Sequence, residues 1–413
     1  MTEVRGFIVA AWDELPRRPG PRRPGQGRGE PTERVLLTGR LEDGRSFAAV
    51  LRGLGPAIYA PAAFRDRALG ALEGLLAAGA VGCRAEGAEL AGWSSLEGEA
   101  LARFELRPGA LKEAERALAR AAVPVVAAES RRSAELLASL GLRGRVRIRG
   151  ESAPGRRVDA VFLEPELGAV PAGASLAPIA LRWLALDIET DREGRVLALS
   201  LAEAGKPGEV FFLRPEPGGS ASDPPSAPEA AVRCFDDEAS LLSAFARRLA
   251  ERDPDVVTGW NVLDFDLRVL ARRFEAQDLP FDIGRTEAGA SFVDRPGKRA
   301  VFDLPGRCAL DAMRLVRGTG ERFEDQSLES VAQAILGEGK SVAARGESKL
   351  AELERLRREE PEAFCAYCLR DSELVLRILE KTGLDRLTAE RAALTGVGLD
   401  LAWTSIPSFE RVY

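Results

Sequence analysis

The segment Leu181–Thr190 carries a run of Trp, Leu and Ala that ends in Asp187 and Glu189. In a strand, a period of two places both carboxylates on one face and turns Ile188 the other way, toward a core. They sit at the carboxyl end of that strand, where open α/β sheets gather ligands. A third carboxylate stands out in the run beginning at Pro361. Its apolar stripe reads Phe364, Cys368, Asp371, Val375, Ile378, with steps of four, three, four and three. Asp371 therefore faces a core, where an uncompensated carboxylate costs several kcal/mol and requires an arginine or a metal ion beside it. Tyr367 precedes it by one helical turn on the same side. A third group, Asn261, Phe265 and Asp266, falls where a strand gives way to a helix. Taken alone it reads as capping, with Asn261 as N-cap and Asp264 or Asp266 complementing the positive helix end.

Taken together, Asp187, Glu189, Asp266 and Asp371 would bring four negative charges to one sheet edge. Such a set repels itself unless two divalent cations bind between its members, and oxygen-only ligands suit Mg2+ or Mn2+. A pair of such ions activates a water and stabilises the leaving oxygen of a phosphodiester. The chain contains no histidine, which excludes Ser-His and Cys-His nucleophiles and any zinc site built on imidazole.

The elements that must hold these residues follow from the wider pattern. A chain of 413 residues suggests two or three domains. No apolar run approaches the roughly 20 residues of a bilayer span, so a cytoplasmic protein with no membrane partner is expected. Five cysteines (83, 234, 308, 365 and 368) make an odd, scattered set unsuited to a disulfide framework. The C-x-x-C of Cys365 and Cys368 has no second pair to complete a metal knuckle. Up to residue 178 the chain has 26 Lys plus Arg against 22 Asp plus Glu, or +4, and the total of -6 leaves -10 for the remainder. Short strands are predicted at 5–12 and 34–41, around a Pro-, Gly- and Arg-rich loop from Pro16 to Pro31, and helices at 66–78, 111–121 and 131–140. Arg143, Arg145, Arg147 and Arg149 alternate through a predicted strand, which places four guanidinium groups on one face. This face is either a weak nucleic-acid contact or a salt-bridged surface with Glu151 or its neighbours as partners.

After a linker at about 168–180, strands and helices alternate. Strands are predicted at 182–190, 195–201, 209–213 and 255–261, and a further one within 299–310 leads into a helix at 311. Helices are predicted at 237–251, 263–276, 327–336, 348–358 and 361–382. Leu263, Leu267, Leu270 and Phe274 mark the inner face of the second of these helices. Pro361 opens the last one and Gly383 closes it. A loop at 215–228 has the composition of an insertion.

The segments ALDIET at 185–190, GWNVLDFD at 259–266 and YCLRD at 367–371 resemble the three exonuclease motifs of family B DNA polymerases, the class with four acids and a tyrosine. DPDVVTGWN at 253–261 and the stretch Ser327–Lys340 are most similar to the bacterial polymerase II branch. The resemblance implies an α+β N-terminal domain over 1–178 with possible nucleic-acid contact. It further implies a ribonuclease-H-like α/β 3′–5′ exonuclease domain with a mixed sheet over 179–383, and the start of a palm segment over 384–413.

By the same resemblance, Asp187, Glu189 and Asp371 would hold a first Mg2+ or Mn2+, and Asp187 would bridge to a second that Asp266 supports through water. Tyr367 would orient the attacking water, while Asn261 and Phe265 would position the end of the strand. The region 285–307 would form a hairpin that helps part primer from template. The implied substrate is a single-stranded or frayed 3′ DNA end, degraded to deoxynucleoside monophosphates during proofreading. The palm, fingers and thumb, and any sliding clamp they engage, would belong to missing or separate chain, since no nucleotide-addition motif occurs before Tyr413. The alternatives are a non-catalytic template- or partner-binding piece of a divided polymerase and a ribonuclease of the same fold.

Overall fold

The computed structural model describes residues 2–403 except 15–33, 53, 78, 80, 83–88, 96, 108, 130, 171–177, 216–229, 296–297 and 339–346. The Pro16–Pro31 loop and residues 216–228 of the second predicted loop lie outside the described residues.

The first part of the chain contains strands β1 (Thr2–Glu14), β2 (Arg34–Leu41), β3 (Ser46–Arg52) and β4 (Ala57–Pro61), then helix α1 (Arg65–Ala77). It continues through β5 (Val81–Gly82), β6 (Glu89–Ser94), β7 (Ala100–Leu106), α2 (Leu111–Arg120), β8 (Ala127–Glu129) and α3 (Arg132–Ser139). Strands β9 (Arg145–Gly150), β10 (Ser152–Ala153), β11 (Ala160–Leu163) and β12 (Glu166–Ala169) complete it. A seven-stranded sheet runs β10-β11-β3-β2-β1-β9-β12. Val35, Leu37, Phe47, Val146, Ile148 and Phe162 form its core with Leu136 of α3. Strands β4, β5, β6, β7 and β8 form a smaller sheet, packed through Ile58, Phe104 and Leu106 on Leu72 of α1 and Leu118 of α2. The expected linker gives way to β12 as far as Ala169, because β12 pairs with β9 in antiparallel register.

The second part supplies β13 (Trp183–Thr190), β14 (Val196–Glu203), β15 (Gly208–Leu213), β16 (Ala230–Phe235), α4 (Glu238–Arg252), β17 (Val256–Gly259) and α5 (Asp266–Ala276). A hairpin of β18 (Ser291–Arg295) and β19 (Lys298–Asp303) follows, then β20 (Cys308–Asp311) and α6 (Ala312–Arg317). The last helices are α7 (Leu328–Leu336), α8 (Glu347–Glu359), α9 (Pro361–Thr382) and α10 (Leu384–Thr395). The sheet order is β16-β15-β14-β13-β17-β20. It is mixed: β13 is antiparallel to β14 and parallel to β17. Strand β16 was not legible in the sequence, and the single strand predicted within 299–310 is two, β19 in the hairpin and β20 in the main sheet.

Helices cover both faces of this sheet, and β13 shows how its side chains are divided between them. Leu184, Leu186 and Ile188 pack with residues of α4 and α5, whereas Ala185 packs with Leu374, Val375 and Ile378 of α9. The alternation that buries the leucines under α4 and α5 therefore sends Asp187 and Glu189 to the α9 side. Each fully buried Leu contributes about 1.5–3 kcal/mol by transfer, so a slip of one residue would be costly and the register is firm.

The two parts are joined by a buried ion cluster. Arg40 of β2 reaches Asp255 with Nε at 2.6 Å and the carbonyl of Asp253 with a terminal nitrogen at 2.7 Å. Arg285 and Arg307, at the two ends of the hairpin's root, each reach Asp253 Oδ1 at 2.8 Å. Among the described residues, no helix is long and apolar enough to cross a membrane.

Candidate carboxylate site

Strand β13 is central in the sheet, and its half-buried Asp187 and Glu189 lie at its carboxyl end. Helix α9 carries the other half of the site. Pro361 occupies its first turn and Gly383 closes it in the left-handed conformation, φ +66°. The stripe inferred from the sequence is buried along its whole length: Phe364, Cys368, Asp371, Val375 and Ile378 are all inside. Two features of the sheet let α9 approach. The hydroxyl of Ser200 on β14 donates to the Cys368 carbonyl at 2.8 Å and lies 2.6 Å from the Ser372 hydroxyl. At Gly208 on β15, a Cβ would fall 2.5 Å from the Leu369 side chain, so the bare glycine lets Leu369 pack directly on the strand.

The outcome is that Asp187, Glu189 and Asp371 each offer a carboxylate oxygen, and these oxygens lie within 4.8 Å of one another. Three acids from a strand and a helix so close form a donor set suited to a hard divalent cation, and the cluster can bind a metal. Tyr367 is 3% exposed. Burial, then the charges of Asp371, Glu189 and Asp187, push its phenol well above its ordinary pKa, so it stays protonated.

Asp266 is not a member of that trio. It opens α5, is 2% exposed, and accepts a hydrogen bond from the Ile188 N–H at 3.1 Å, between the two β13 carboxylates. Burial raises its pKa to about 8; backbone hydrogen bonds oppose the rise, and Glu189 and Asp311 add to it. The expected four-carboxylate edge is thus three clustered acids with a fourth held beside them on the strand's backbone.

Asn261 does not cap a helix starting at 263. It adopts φ +63°, its carbonyl accepts from the N–H groups of Asp264 and Phe265, and α5 begins only at Asp266. Its N–H donates to Asp311 Oδ1 at 3.1 Å. That same oxygen caps α6 by accepting from Met313 at 3.0 Å. Asp311 is a site neighbour that sequence reading missed; the signal was an acid at the strand-to-helix junction, the position of an N-cap. Burial raises its pKa despite Arg314. Phe265, at the mouth of α5, is 45% exposed, an unusual cost for a phenylalanine in a well-packed domain.

The arginine row is placed elsewhere. Arg145, Arg147 and Arg149 alternate on β9 with buried Val146 and Ile148, while Arg143 lies ahead of the strand. Arg147 and Arg149 reach Glu3 at 3.5 and 2.9 Å, Arg149 also reaches Glu166 at 3.4 Å, and Arg145 reaches Glu390 at 3.5 Å. Arg143 donates to the Leu394 carbonyl at 3.4 Å. The partners are thus Glu3, Glu166 and Glu390, brought close by β1, β12 and α10.

Comparison with known proteins bears on the same residues. Residues 158–331 match the profile of the DNA polymerase family B exonuclease domain. That span contains Asp187, Glu189, Asn261, Phe265 and Asp266 and stops before Tyr367 and Asp371. DNA polymerase II of Escherichia coli (strain K12) is 34% identical over 235 residues, covering 56% of this chain and 29% of the relative. The DNA polymerase delta catalytic subunit of Mesocricetus auratus is 32% identical over 183 residues, covering 41% of this chain and 16% of the relative. The chain therefore spans under a third of these curated relatives. The family B DNA polymerase from the hyperthermophilic archaeon Pyrobaculum calidifontis shares the fold, with a TM-score of 0.70 at 20% identity over 99% of this chain and 49% of that one.

Proposed function

We propose that this chain, which carries a family B DNA polymerase exonuclease domain over residues 158–331, removes nucleoside monophosphates from single-stranded or frayed 3′ DNA ends as the proofreading part of a polymerase. The observation that carries the reading is the convergence of Asp187, Glu189 and Asp371 within 4.8 Å, with Tyr367 and Asp266 beside them. When bound, two Mg2+ or Mn2+ ions would activate a water and stabilise the leaving 3′ oxygen.

The chain's own groups divide the remaining work. Asp187, Glu189 and Asp371 would hold a first cation, and Asp266 beside them would support a second. Tyr367, kept protonated, orients the water through its hydroxyl and takes no proton from it. Asn261 and the exposed ring of Phe265 seat the terminal nucleotide, the ring by stacking, which is worth about 1–3 kcal/mol per base. The arginines of β9, with Arg143, give a weak secondary contact to the strand. Residues 1–178 form the N-terminal domain of this reading, 179–383 the exonuclease domain and 384–413 the start of a palm. Palm, fingers and thumb complete the polymerase on further chain, through which a sliding clamp would engage.

The test is single-turnover digestion of a 3′-labelled single strand. Hydrolysis from the 3′ end that requires Mg2+ or Mn2+ and stops with EDTA is expected. Hydrolysis that survives EDTA, proceeds from the 5′ end, or prefers RNA overturns the assignment.

A further inference from the structure

The pairing of β13 with β14 breaks step beside the carboxylate site. Ile188 lies opposite Leu199 and Glu189 opposite Ala198, but Thr190 lies opposite Val196, so Leu197 is an extra residue on β14. The packing records the same irregularity. Val196, Leu199 and Leu201 belong to the core shared with α4 and α5, whereas the consecutive Leu197 and Ala198 both pack in the cluster of Phe364, Tyr367 and Cys368 on α9. Two successive side chains on one face mark a β-bulge, a device that re-aims neighbouring side chains at functional sites. The neighbour here is Glu189, which lines one cavity of about 100 Å3 together with Leu197 and Phe364.

A bulge takes a backbone N–H out of the ladder, and a buried N–H needs another acceptor. Val196 is buried and donates its N–H to Oε1 of Glu238 at 2.9 Å. Glu238 is the first residue of α4 and is itself buried. Its carboxylate is held from α5: Arg273 donates Nε to the same Oε1 at 2.9 Å, and Gln277 donates to Oε2 at 3.1 Å. The N–H at the bulge thus meets an acceptor fixed by two helices. The turn that joins the strands is pinned separately, because Asp191 Oδ1 accepts from the N–H groups of Glu193 and Arg195.

We propose that Glu238 is a positioning residue for the carboxylate site: by taking the Val196 N–H it fixes the bulge at Leu197, and the bulge sets the place of Glu189 relative to Asp187 and Asp371. The influence passes through the backbone of the β13–β14 pair, since α4 lies on the face of the sheet opposite α9. What counts in Glu238 is therefore the reach of its acceptor oxygen and not its charge. The proposal rests on the reading of Asp187, Glu189 and Asp371 as a cation site.

The experiment follows the melting temperature of the intact chain as Mg2+ is added, which yields an apparent affinity without any activity. Glu238→Ala removes the acceptor. Glu238→Asp keeps a carboxylate for Arg273 but withdraws the oxygen from Val196 by one methylene, Glu238→Gln keeps the reach and loses the charge, and Arg273→Met removes the ion pair but leaves the Val196 bond. All four should melt below wild type without metal, so the affinity is the deciding quantity. It should fall about 3- to 10-fold in Glu238→Ala and Glu238→Asp, less than the about 10- to 100-fold expected for a partner bonded directly to a metal ligand, and stay within about 2-fold in Glu238→Gln and Arg273→Met. In single-turnover hydrolysis of a single strand, the half-saturating Mg2+ should rise by the same factor while the rate at saturating Mg2+ recovers. If Glu238→Ala does not fold, Glu238→Asp decides. Unchanged affinity in Glu238→Asp, or a loss in Glu238→Gln or Arg273→Met as large as that in Glu238→Asp, would overturn the proposal. A wild-type chain whose melting temperature ignores Mg2+ would instead defeat the cation-site reading.

Discussion

Two groups of acidic residues in this molecule have opposite surroundings. Asp253 and Asp255 sit beneath the hairpin root among Arg40, Arg285 and Arg307. Burial alone would raise the Asp253 pKa, but the charges of Arg285 and Arg307 overcome it and hold the group at about 2. Across the sheet, Asp187, Glu189 and Asp371 are drawn together, and Asp266 beside them is pushed up to about 8, with Glu189 and Asp311 adding to the effect of burial. Acids whose charge is met by arginine hold a structure together. Acids gathered with other acids are costly until a cation arrives, which is the signature of a binding site.

The largest effect should come from the second group. Asp187→Ala with Glu189→Ala should lower 3′ hydrolysis by about 1000-fold or more, since two of the clustered ligands are lost, while the melting temperature of the metal-free protein stays level or rises as repulsion is relieved. A fall of several degrees would mean that the cluster is structural and would erase the contrast. The first group should behave in the opposite way. Asp253→Ala takes from buried Arg307 its carboxylate partner while Arg40 and Arg285 keep Asp255, and should cost about 3–5 kcal/mol of stability, read by denaturant unfolding, with any loss of activity tracking the unfolded fraction.

Within the site, Asp371→Ala should cost far more activity than Tyr367→Phe. The phenol only aligns the water, so its loss should cost about 10- to 1000-fold, by analogy with a single positioned donor elsewhere. Equal losses would give Tyr367 a part in proton transfer, which its raised pKa disfavours.

The pH response sharpens the comparison further. Asp253 has a depressed folded pKa, so its contribution is complete above its unfolded value near 3.8 and is lost as pH falls through about 2. Asp266 has a raised one. Between its ordinary value of 3.8 and about 8 the unfolded state is the more ionised, so the metal-free protein loses stability as pH rises across that window. Asp266→Asn should flatten that slope and leave the acid limb unchanged, as read from melting temperatures between about pH 2 and 8. Mg2+ at pH 8 should raise the melting temperature of wild type and not of the Asp187→Ala, Glu189→Ala protein. The smallest effect belongs to β9: Arg147→Ala with Arg149→Ala should weaken single-strand binding about 2- to 5-fold at low salt and less at high salt, because Glu3 and Glu166 already compete for these side chains.

Local periodicity alone was enough to place Asp187, Glu189, Asp371 and Tyr367. A two-residue period in β13 and a three-and-four-residue stripe in α9 fix which way each side chain points relative to its own element, and an acid inside an apolar stripe stands out without any knowledge of what lies opposite. The α/β alternation and the ends of α9 follow from the same short-range rules. What lies opposite is a tertiary matter. Nothing near Arg40 in sequence announces Asp255, 215 residues away, and Glu390 becomes a partner of Arg145 only when α10 packs beside β9. The turn at Asn261 displaced the start of α5 to Asp266, because the Asp311 carboxylate on the neighbouring strand receives the Asn261 N–H. Long-range pairing likewise divided the 299–310 run between a free hairpin and the main sheet. Short-range sterics and patterning thus determined which residues could form a site. Whether those acids would meet arginines or one another was decided by packing between distant segments, since charge acts through space and a sequence orders residues only along the chain.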